Sequence, residues 1–411
     1  MANILFLAHR IPYPPNKGDK IRSWNIFRHL AKSHRIYLGC FIDDVEDFAH
    51  QDFLSAQCAE ALFVPINRRL ASLKSLISLV RGGSLSLRFY ENKAMKQWVE
   101  TLLEREHIDA IYVFSSTMAQ FAFVDNRDAT PVIMDFVDVD SQKWAQYAHS
   151  KPWPLSWLYA HEARMLLEAE RQIAERSDEN LFVSKEEASL FKSLLPKARH
   201  VEAMPNGVDL EAFDRETHEA ADLGPGHHLV FTGAMDYWAN VDAVRWFVEK
   251  CWAELKSRWP DLTFHIVGSN PSAAVRALAK TKDIFVTGRV EKVQPYLKAA
   301  QVIIAPLQIA RGVQNKVLEA LAMSCPVVAT EEAAEGLGLE TGKYLLVADG
   351  KTAFVEAVHE LLSEPEKAES MAVRATEKVW AEFGWDGRLA LLDELLATEK
   401  ADYDKVATTI E

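Results

Sequence analysis

The residues best suited to chemistry lie close together in the second half of the chain, between positions 305 and 329. Arg311, Asn315 and Glu319 are spaced four apart, so they share one face of a helix that starts early enough. Lys316 lies three residues before Glu319 on that face. The positive end of a helix, together with Arg311 and Lys316, predicts a site for an anion such as a diphosphate. Glu319, one turn deeper, is placed to accept hydrogen bonds from ribose hydroxyls. A solvated amphipathic helix with paired charges is the alternative.

The elements that must position these residues are predicted as a buried strand on either side. One strand ends at Pro306, the next begins at Pro326, and Gly312 lies in the loop that opens the helix. Short apolar runs separated by helical patterns continue along the chain, which predicts parallel sheets covered on both faces. The predicted strands are 3–8, 35–42, 61–64, 110–114, 131–135 and 180–183 in the first half, and 228–232, 263–268, 284–286, 302–305, 326–330 and 344–347 in the second.

We therefore predict an α/β protein with two doubly wound Rossmann-like domains that face each other across a central cleft. The first domain spans 1–205 and the second spans 206–385, with the boundary at a stretch rich in turn-forming residues. A C-terminal helix, 386–411, is expected to pack back toward the first domain. Ligands of such sheets bind outside the carboxyl ends of the strands, so we expect the loops there to form the site.

Charge and composition exclude several classes of protein. The chain has 411 residues, of which 49% are hydrophobic, and a formal net charge of -13, which argues against a general nucleic-acid binder. The net charge is -1 over residues 1–205 and -12 over 206–411. No apolar run reaches the roughly 18 residues of a membrane-spanning helix, and the first residues lack the pattern of a secretory signal. Four distant cysteines are expected to be reduced thiols, and we expect a cytoplasmic protein.

A basic segment in the first half points to a different kind of partner. Residues 61–90 contain no acid and five bases, with leucines and other apolar residues at helical spacing. A basic amphipathic helix is typical of reversible contact with an anionic membrane surface, here the inner face of the plasma membrane. Trp153, Trp157 and Tyr159 could add an aromatic edge. An ordinary helix packed on the sheet is the alternative.

Several stretches resemble the signatures of GT-B glycosyltransferases of the family 4 type. The donor signature of that family has two Glu residues eight apart, followed by Ala, a small residue and Pro-Val-Val. Glu319 and 326–328 match its second part, whereas its first Glu falls on Arg311, which we therefore expect to contact phosphate. The remaining resemblances are 231–240 with Gly233, 287–290 with the family's Gly-x-Val turn, and the interdomain Asn-Gly-Val-Asp at 206–209.

The opening of the first domain extends the resemblance. Residues 11–22 lie where the family has a Gly-rich loop after the first strand, and Gly18 would allow this loop to close over the diphosphate and sugar. Lys17, Lys20 and Arg22 are expected to add positive charge there; a solvated loop is the alternative. Together with 136–144, this opening resembles the glycosyltransferases associated with PEP-CTERM/exosortase systems in bacteria.

Asp138-Val139-Asp140 follows the predicted strand 131–135. Asp-x-Asp is the metal and nucleotide motif of another glycosyltransferase fold, GT-A, which does not supply a second domain with Glu319 in this position. We therefore expect no metal at this motif. In GT-B relatives the corresponding loop faces the acceptor and the reacting sugar carbon, which makes Asp138 a candidate acceptor-side residue. A helix N-cap is the alternative role of Asp138.

The resemblance implies a retaining, metal-independent glycosyltransferase that uses a nucleotide-diphosphate sugar as donor and needs no cofactor. The acceptor is expected to be a lipid-linked or polysaccharide precursor in bacterial exopolysaccharide or surface-glycan synthesis. The residues expected in catalysis are Asp138, Lys316 and Arg311, and those expected to bind the donor are Gly18, Gly233, Arg289, Val290, Gly312, Val313 and Glu319.

Two other functions remain open from the sequence. A nucleotide-sugar 2-epimerase shares the two-domain cleft and converts its sugar without an acceptor. A catalytically silent GT-B protein that binds a partner is favoured by Arg311 in place of the family's first Glu. A nicotinamide dehydrogenase is disfavoured, because no Gly-x-Gly-x-x-Gly follows any predicted strand.

Overall fold

The computed structural model describes residues 1–125, 130–310 and 313–410. The chain forms two compact units, each built around its own parallel sheet. The first unit comprises Met1–Pro205 and the residues from Leu389 onward, and the second comprises Asn206–Arg388.

The first unit has a seven-stranded parallel sheet with the order β3-β2-β1-β4-β5-β6-β7. Its central strand, β1, pairs with β2 on one side and β4 on the other, and its last five residues are buried. A strand covered on both faces needs this continuous apolar sequence. The strands are β1 Asn3–Ala8, β2 Arg35–Ile42, β3 Glu60–Pro65, β4 Ala110–Phe114, β5 Val132–Val137, β6 Glu179–Phe182 and β7 Val201–Ala203.

Helices of the first unit connect these parallel strands. They are α1 Gly18–Ser33, α2 Gln51–Ser55, α3 Arg68–Ser75, α4 Ser78–Arg81, α5 Leu85–Phe89, α6 Lys93–Arg105, α7 Ala119–Ala122, α8 Asp140–Ser150, α9 Leu155–Arg176 and α10 Lys185–Leu194.

The second unit has a six-stranded parallel sheet with the order β10-β9-β8-β11-β12-β13. Numbered from its own first strand this order is 3-2-1-4-5-6, the doubly wound arrangement, and the first six strands of the other sheet follow it too. The strands are β8 His228–Thr232, β9 Thr263–Val267, β10 Ile284–Gly288, β11 Val302–Ala305, β12 Val327–Ala329 and β13 Leu346–Val347.

Helices of the second unit and the C-terminal helix complete the fold. A π-helical segment, Val248–Trp252, lies between the first two helices of this unit in the series that follows. They are α11 Trp238–Phe247, α12 Ala253–Arg258, α13 Ala273–Leu278, α14 Gln294–Ala299, α15 Asn315–Ala322, α16 Glu331–Ala334, α17 Gly350–Ser363, α18 Pro365–Glu382 and α19 Trp385–Ile410.

The predicted strands are all present, with bounds that differ by at most two residues. The sequence analysis missed only β7, whose three residues Val-Glu-Ala are too few to form an apolar run. Over the described ranges, the structure has no helix long and apolar enough to cross a membrane. The same ranges hold no group of three or more His, Cys, Asp or Glu side chains placed to bind a metal ion.

Candidate functional site

The carboxyl ends of β8 and β11 meet where the strand order of the second sheet reverses. Ile303 pairs with Val230, which sets the ends of these two strands level. The loops that begin at Gly233 and Pro306 therefore leave the sheet side by side. Doubly wound sheets bind ligands at this position. The loop from Pro306 leads to α15, which carries Lys316 and Glu319.

Gly233 and Gly268 pack the loops after β8 and β9 backbone against backbone. A Cβ atom on Gly233 would lie 2.6 Å from the side-chain nitrogen of Asn240, and a Cβ atom on Gly268 would lie 1.7 Å from the carbonyl oxygen of Gly233. The Gly233 N–H donates to the carbonyl of Val267 at 3.1 Å. Both positions require glycine because no side chain fits between the loops.

Lys316 is held over the end of β8 by contacts within its own unit. Its Nζ donates a hydrogen bond to Oδ1 of Asn240, and it lies 4.9 Å from the ring centre of Phe231. Asn240 is fixed in turn, because its Nδ2 donates to the carbonyl of Ala234 at 2.9 Å. The half-buried ammonium group therefore lies in the first turn of α15, near the strand edge at which Gly233 lies. The sequence analysis did not name Asn240, although it lies in the 231–240 stretch.

Lys316 and Glu319 have pKa values shifted in opposite directions. Burial lowers the pKa of Lys316 from 10.5 to about 8, and the Glu319 carboxylate opposes this shift. Burial raises the pKa of Glu319 from 4.5 to about 7, and the Lys316 ammonium opposes it. The Glu319 side chain has no hydrogen bond or ion pair to any residue that the structure describes. The charged forms of Lys316 and Glu319 are therefore poorly stabilised by the protein itself. A bound anion would stabilise the ammonium group, and bound hydroxyl groups would stabilise the carboxylate.

The other predicted donor residues have different positions. Arg311 and Gly312 lie outside the described residues, and α15 begins at Asn315. Val313 and Val290 pack, partly buried, against the hydrophobic core of the second unit. Arg289 is exposed after β10, the edge strand of the sheet, so it is separated from β8 by β9. The structure thus brings together Gly233, Lys316 and Glu319.

The first sheet reverses its strand order between β1 and β4, and the sequence analysis named neither of the residues that directly follow these two strands. Ala8 pairs with Phe114, so His9 and Ser115 leave the sheet side by side. The His9 ring stacks on Phe114 with centroids 5.7 Å apart. Ser115 has a φ of 79°, which is uncommon for a residue other than glycine. His9 directly follows the predicted strand 3–8, and this position was the signal that could have identified it.

His9 belongs to a network of polar side chains after β1. Its Nε2 lies 3.3 Å from Oδ2 of Asp19, and Arg10 contacts the same oxygen at 2.7 Å and Asp43 at 3.1 Å. Burial would raise the pKa of Asp19, but His9 and Arg10 hold it well below its usual range. The Nδ1 atom of His9 is buried and has no hydrogen-bond partner among the described residues. The loop after β1 is therefore fixed by ionic contacts with α1 and the end of β2.

Asp138 lies in the loop after β5 and pairs with a lysine. Nζ of Lys143 lies 2.5 Å from Oδ2 of Asp138 and 3.6 Å from Oδ1 of Asp140. These two carboxylates hold the pKa of Lys143 above its ordinary value despite burial. The N-cap residue of α8 is Val139, so the alternative role of Asp138 as a helix cap is wrong. Asp138 lies one residue before the N-cap position, because α8 begins at Asp140.

Two buried carboxylates anchor the loop that carries Asp138. The Val139 N–H donates to Oε2 of Glu187 at 2.8 Å, and the Ser141 N–H donates to Oε1 of Glu170 at 3.0 Å. Burial raises the pKa of Glu170 to about 7. Val137 has a φ of 70°, a strained conformation for a β-branched residue. Such strain persists only where the surroundings enforce it, and it is common at functional loops.

The prediction that Lys17, Lys20 and Arg22 add positive charge to a loop at 11–22 is wrong for two of these residues. Lys20 is buried and contacts both oxygens of Asp47 at 2.8 Å. Arg22 is also buried and donates to both oxygens of Asp135, at 2.8 and 3.1 Å. Both side chains lie on α1 and fill the core side of the helix. Lys17, which precedes α1, is exposed. Gly18 is the exposed first residue of α1, and a Cβ atom there would meet open space.

Comparisons with known proteins give a family match within the second unit and a distant relative that aligns with most of the chain. Residues 226–364, which include Gly233, Lys316 and Glu319, match the family model described as glycosyl transferases group 1. A relative from Klebsiella pneumoniae, named as an uncharacterized 44.6 kDa protein in cps region, is 21% identical over 374 residues, which cover 87% of this chain and 90% of the relative.

Two solved structures resemble the whole chain. Alr3699/HepE of Anabaena, in complex with UDP, aligns with a TM-score of 0.68 at 14% identity and covers 96% of this chain and 100% of its own. Sucrose-phosphate synthase from Thermosynechococcus elongatus aligns with a TM-score of 0.68 at 15% identity and covers 98% of this chain and 100% of its own. The predicted α/β fold of two Rossmann-like domains, GT-B, is therefore confirmed.

Proposed function

We propose that this chain, a group 1 glycosyltransferase with the GT-B fold, transfers a sugar from a nucleotide-diphosphate sugar to a lipid-linked or saccharide acceptor. The observation on which the proposal rests is the pair Lys316 and Glu319, half-buried beside Gly233 where the second sheet reverses its strand order. A bound diphosphate would supply an anionic partner for the Lys316 ammonium group. Ribose hydroxyls would supply donors to Glu319.

Lys316 acts, in this proposal, on the leaving diphosphate. Negative charge grows there as the glycosidic bond breaks, and a cation fixed in advance stabilises the transition state more than the ground state. Asn240 and Phe231 fix the ammonium group before the donor binds. Removing one such preorganised group typically slows turnover by about a hundredfold to a thousandfold. Arg311, for which the family has Glu, is proposed to share the phosphate charge.

Asp138 is proposed to act on the acceptor side. It lies after β5 of the first sheet in a loop anchored by buried Glu170 and Glu187, and its carboxylate pairs with Lys143. A carboxylate held in this way can accept a hydrogen bond from an acceptor hydroxyl. Retention of configuration without a metal, with the hydroxyl proton passing to the leaving phosphate, is proposed from the family resemblance. No further cofactor is proposed.

The acceptor is proposed to be a precursor of a bacterial surface polysaccharide, handled at the inner face of the plasma membrane. The Klebsiella relative named for the cps region supports a place in capsule polysaccharide synthesis. Alr3699/HepE has been solved with UDP-glucose, which supports a UDP-sugar as the first donor to test. The PEP-CTERM association stays a prediction from the resemblance of the opening segment.

A thermal-shift screen against UDP-, GDP-, ADP- and dTDP-linked sugars tests the donor, because a ligand of the native state raises its melting temperature. We expect one nucleotide class to raise the melting temperature of the wild type, and we expect this rise to be lost in Lys316→Met. Lys378→Met, which changes a half-buried lysine of α18 that pairs with Glu382, is the matched control and should bind as the wild type does.

Product analysis then separates the proposed activity from its alternatives. Transfer predicts a new glycoside only when an acceptor is present. Conversion of the donor sugar without an acceptor would show a 2-epimerase instead. Absence of binding by every nucleotide sugar at about 1 mM would favour a silent binding protein and refute the proposal.

A further inference from the structure

Helix α3 and the turn after it expose their large apolar side chains. Leu70, Leu73, Leu76 and Ile77 are 56%, 66%, 45% and 43% exposed, and we call these four residues the leucine face. The buried residues of α3 are instead Ala71 and Ser75. An ordinary helix on a sheet buries its leucines and exposes its small polar residues, so the packing of α3 is the reverse of the usual one.

Basic side chains accompany the leucine face. Arg68, Arg69 and Lys74 are exposed, and none has an ion-pair partner among the described residues. Arg69 precedes Leu73 by four positions and Lys74 follows Leu70 by four, so each base stands beside a leucine on the helix surface. Residues 61–90 contain no Asp or Glu, although the whole chain has a net charge of -13. The charge of this segment is therefore opposite to that of the protein around it.

We propose that the leucine face docks on the surface of an anionic lipid bilayer. Such a surface attracts Arg68, Arg69 and Lys74, and the boundary between headgroups and acyl chains takes up leucine side chains. A second copy of the chain fits this face less well, because a twofold contact would place the bases of both copies together. Trp153 and Trp157 of the same unit are 80% and 56% exposed, and such amphipathic rings favour the depth of the headgroups.

Docking would deepen the proposed function, because it brings the enzyme to lipid-linked acceptors. This consequence rests on the proposed function, whereas docking itself does not need activity. Residues 67–77 lie outside the candidate donor site, which is in the other unit. A variant of the leucine face should therefore keep its response to the nucleotide sugar in the thermal-shift screen.

Co-sedimentation of the full chain with vesicles tests the proposal. We expect binding to vesicles of phosphatidylcholine with about 30 mol% phosphatidylglycerol, and little binding to phosphatidylcholine alone. Raising the salt from about 0.05 to about 0.5 M should weaken binding strongly, since exposed charges are then screened. Equal binding to both vesicle types, or none to either, would overturn the proposal whatever the enzyme activity.

Variants separate the leucine face from the charge of the whole protein. Leu70→Ser with Leu73→Ser should reduce the vesicle partition coefficient at least tenfold, and Lys74→Ala should reduce it about fivefold. Val373→Ser, which changes an exposed aliphatic residue on α18, is the matched control and should bind as the wild type does. Loss of a dimer in light scattering by the double variant, with vesicle binding unchanged, would show that a second copy covers this face and would refute docking on lipid.

Discussion

Replacing Lys316 by Met should stabilise the ligand-free protein while it weakens nucleotide binding. Burial lowers the pKa of Lys316 from 10.5 to about 8, so the charged form is disfavoured in the folded state. A shift of this size corresponds to about 3 kcal/mol at pH 7. Methionine keeps most of the side-chain volume but loses the hydrogen bond to Asn240, which offsets about 1 kcal/mol of the gain. We therefore expect a net stabilisation of about 2 kcal/mol.

Thermal unfolding at several pH values measures this effect. A gain of about 2 kcal/mol should raise the melting temperature of the second unit by about 4 to 8 °C at pH 7. Between pH 8 and 10.5 the unfolded wild type binds a proton that the folded state has released. Wild-type stability should therefore rise with pH across this window, and the advantage of Lys316→Met should disappear by its upper end. A variant less stable than the wild type at pH 7 would refute the reasoning.

Nucleotide binding should also depend on the charge of Lys316, but in the opposite direction to stability: a rise in pH should weaken binding. A diphosphate stabilises the ammonium group, so nucleotide binding above pH 8 should take up a proton. Calorimetry in buffers of different ionisation enthalpy measures that uptake, and affinity should fall by up to about tenfold per pH unit above pH 8. Lys316→Met should show neither the uptake nor this fall. A wild-type affinity that is constant from pH 7.5 to 9.5 would contradict a role for Lys316 at the phosphates.

Three further substitutions test other parts of the account. Gly233→Ala should destabilise the second unit by about 1 to 3 kcal/mol in thermal unfolding, because its Cβ would lie 2.6 Å from a neighbouring side-chain nitrogen, whereas Gly387→Ala in helix α19 meets open space and should stabilise slightly. Asp135→Asn should cost about 3 to 5 kcal/mol in denaturant unfolding, because it leaves the buried guanidinium of Arg22 without its charge partner. Asp138→Asn should lower the rate of transfer at least tenfold, measured at saturating donor, yet leave nucleotide affinity unchanged; a loss of affinity would move Asp138 out of the acceptor side.

Much of the fold follows from local sequence patterns. The central strands of both sheets are apolar runs that are buried on both faces, and such runs stand out from the helices between them. β7 was not predicted because its pairing with β6, rather than its own composition, makes it a strand. The last helix, predicted over 386–411, is observed over Trp385–Ile410.

The candidate site was less predictable because its geometry depends on pairing between distant strands. Gly233, Lys316 and Glu319 were identified from their stretches of sequence, but Asn240 became visible only through its contact with Lys316. Lys20 and Arg22 show the opposite error. Charges in a loop-like sequence were expected to face a ligand, yet both lie in α1 and meet Asp47 and Asp135 inside the unit. The sequence contains no local sign of those partners.

The most direct test of the account is a crystal structure of the protein with UDP and with UDP-glucose. We predict diphosphate oxygens about 3 Å from Nζ of Lys316 and ribose hydroxyls in hydrogen-bond contact with Glu319, at the edge where Gly233 lies. Nucleotide bound at another position, or no nucleotide at saturating concentration, would contradict the proposed donor site.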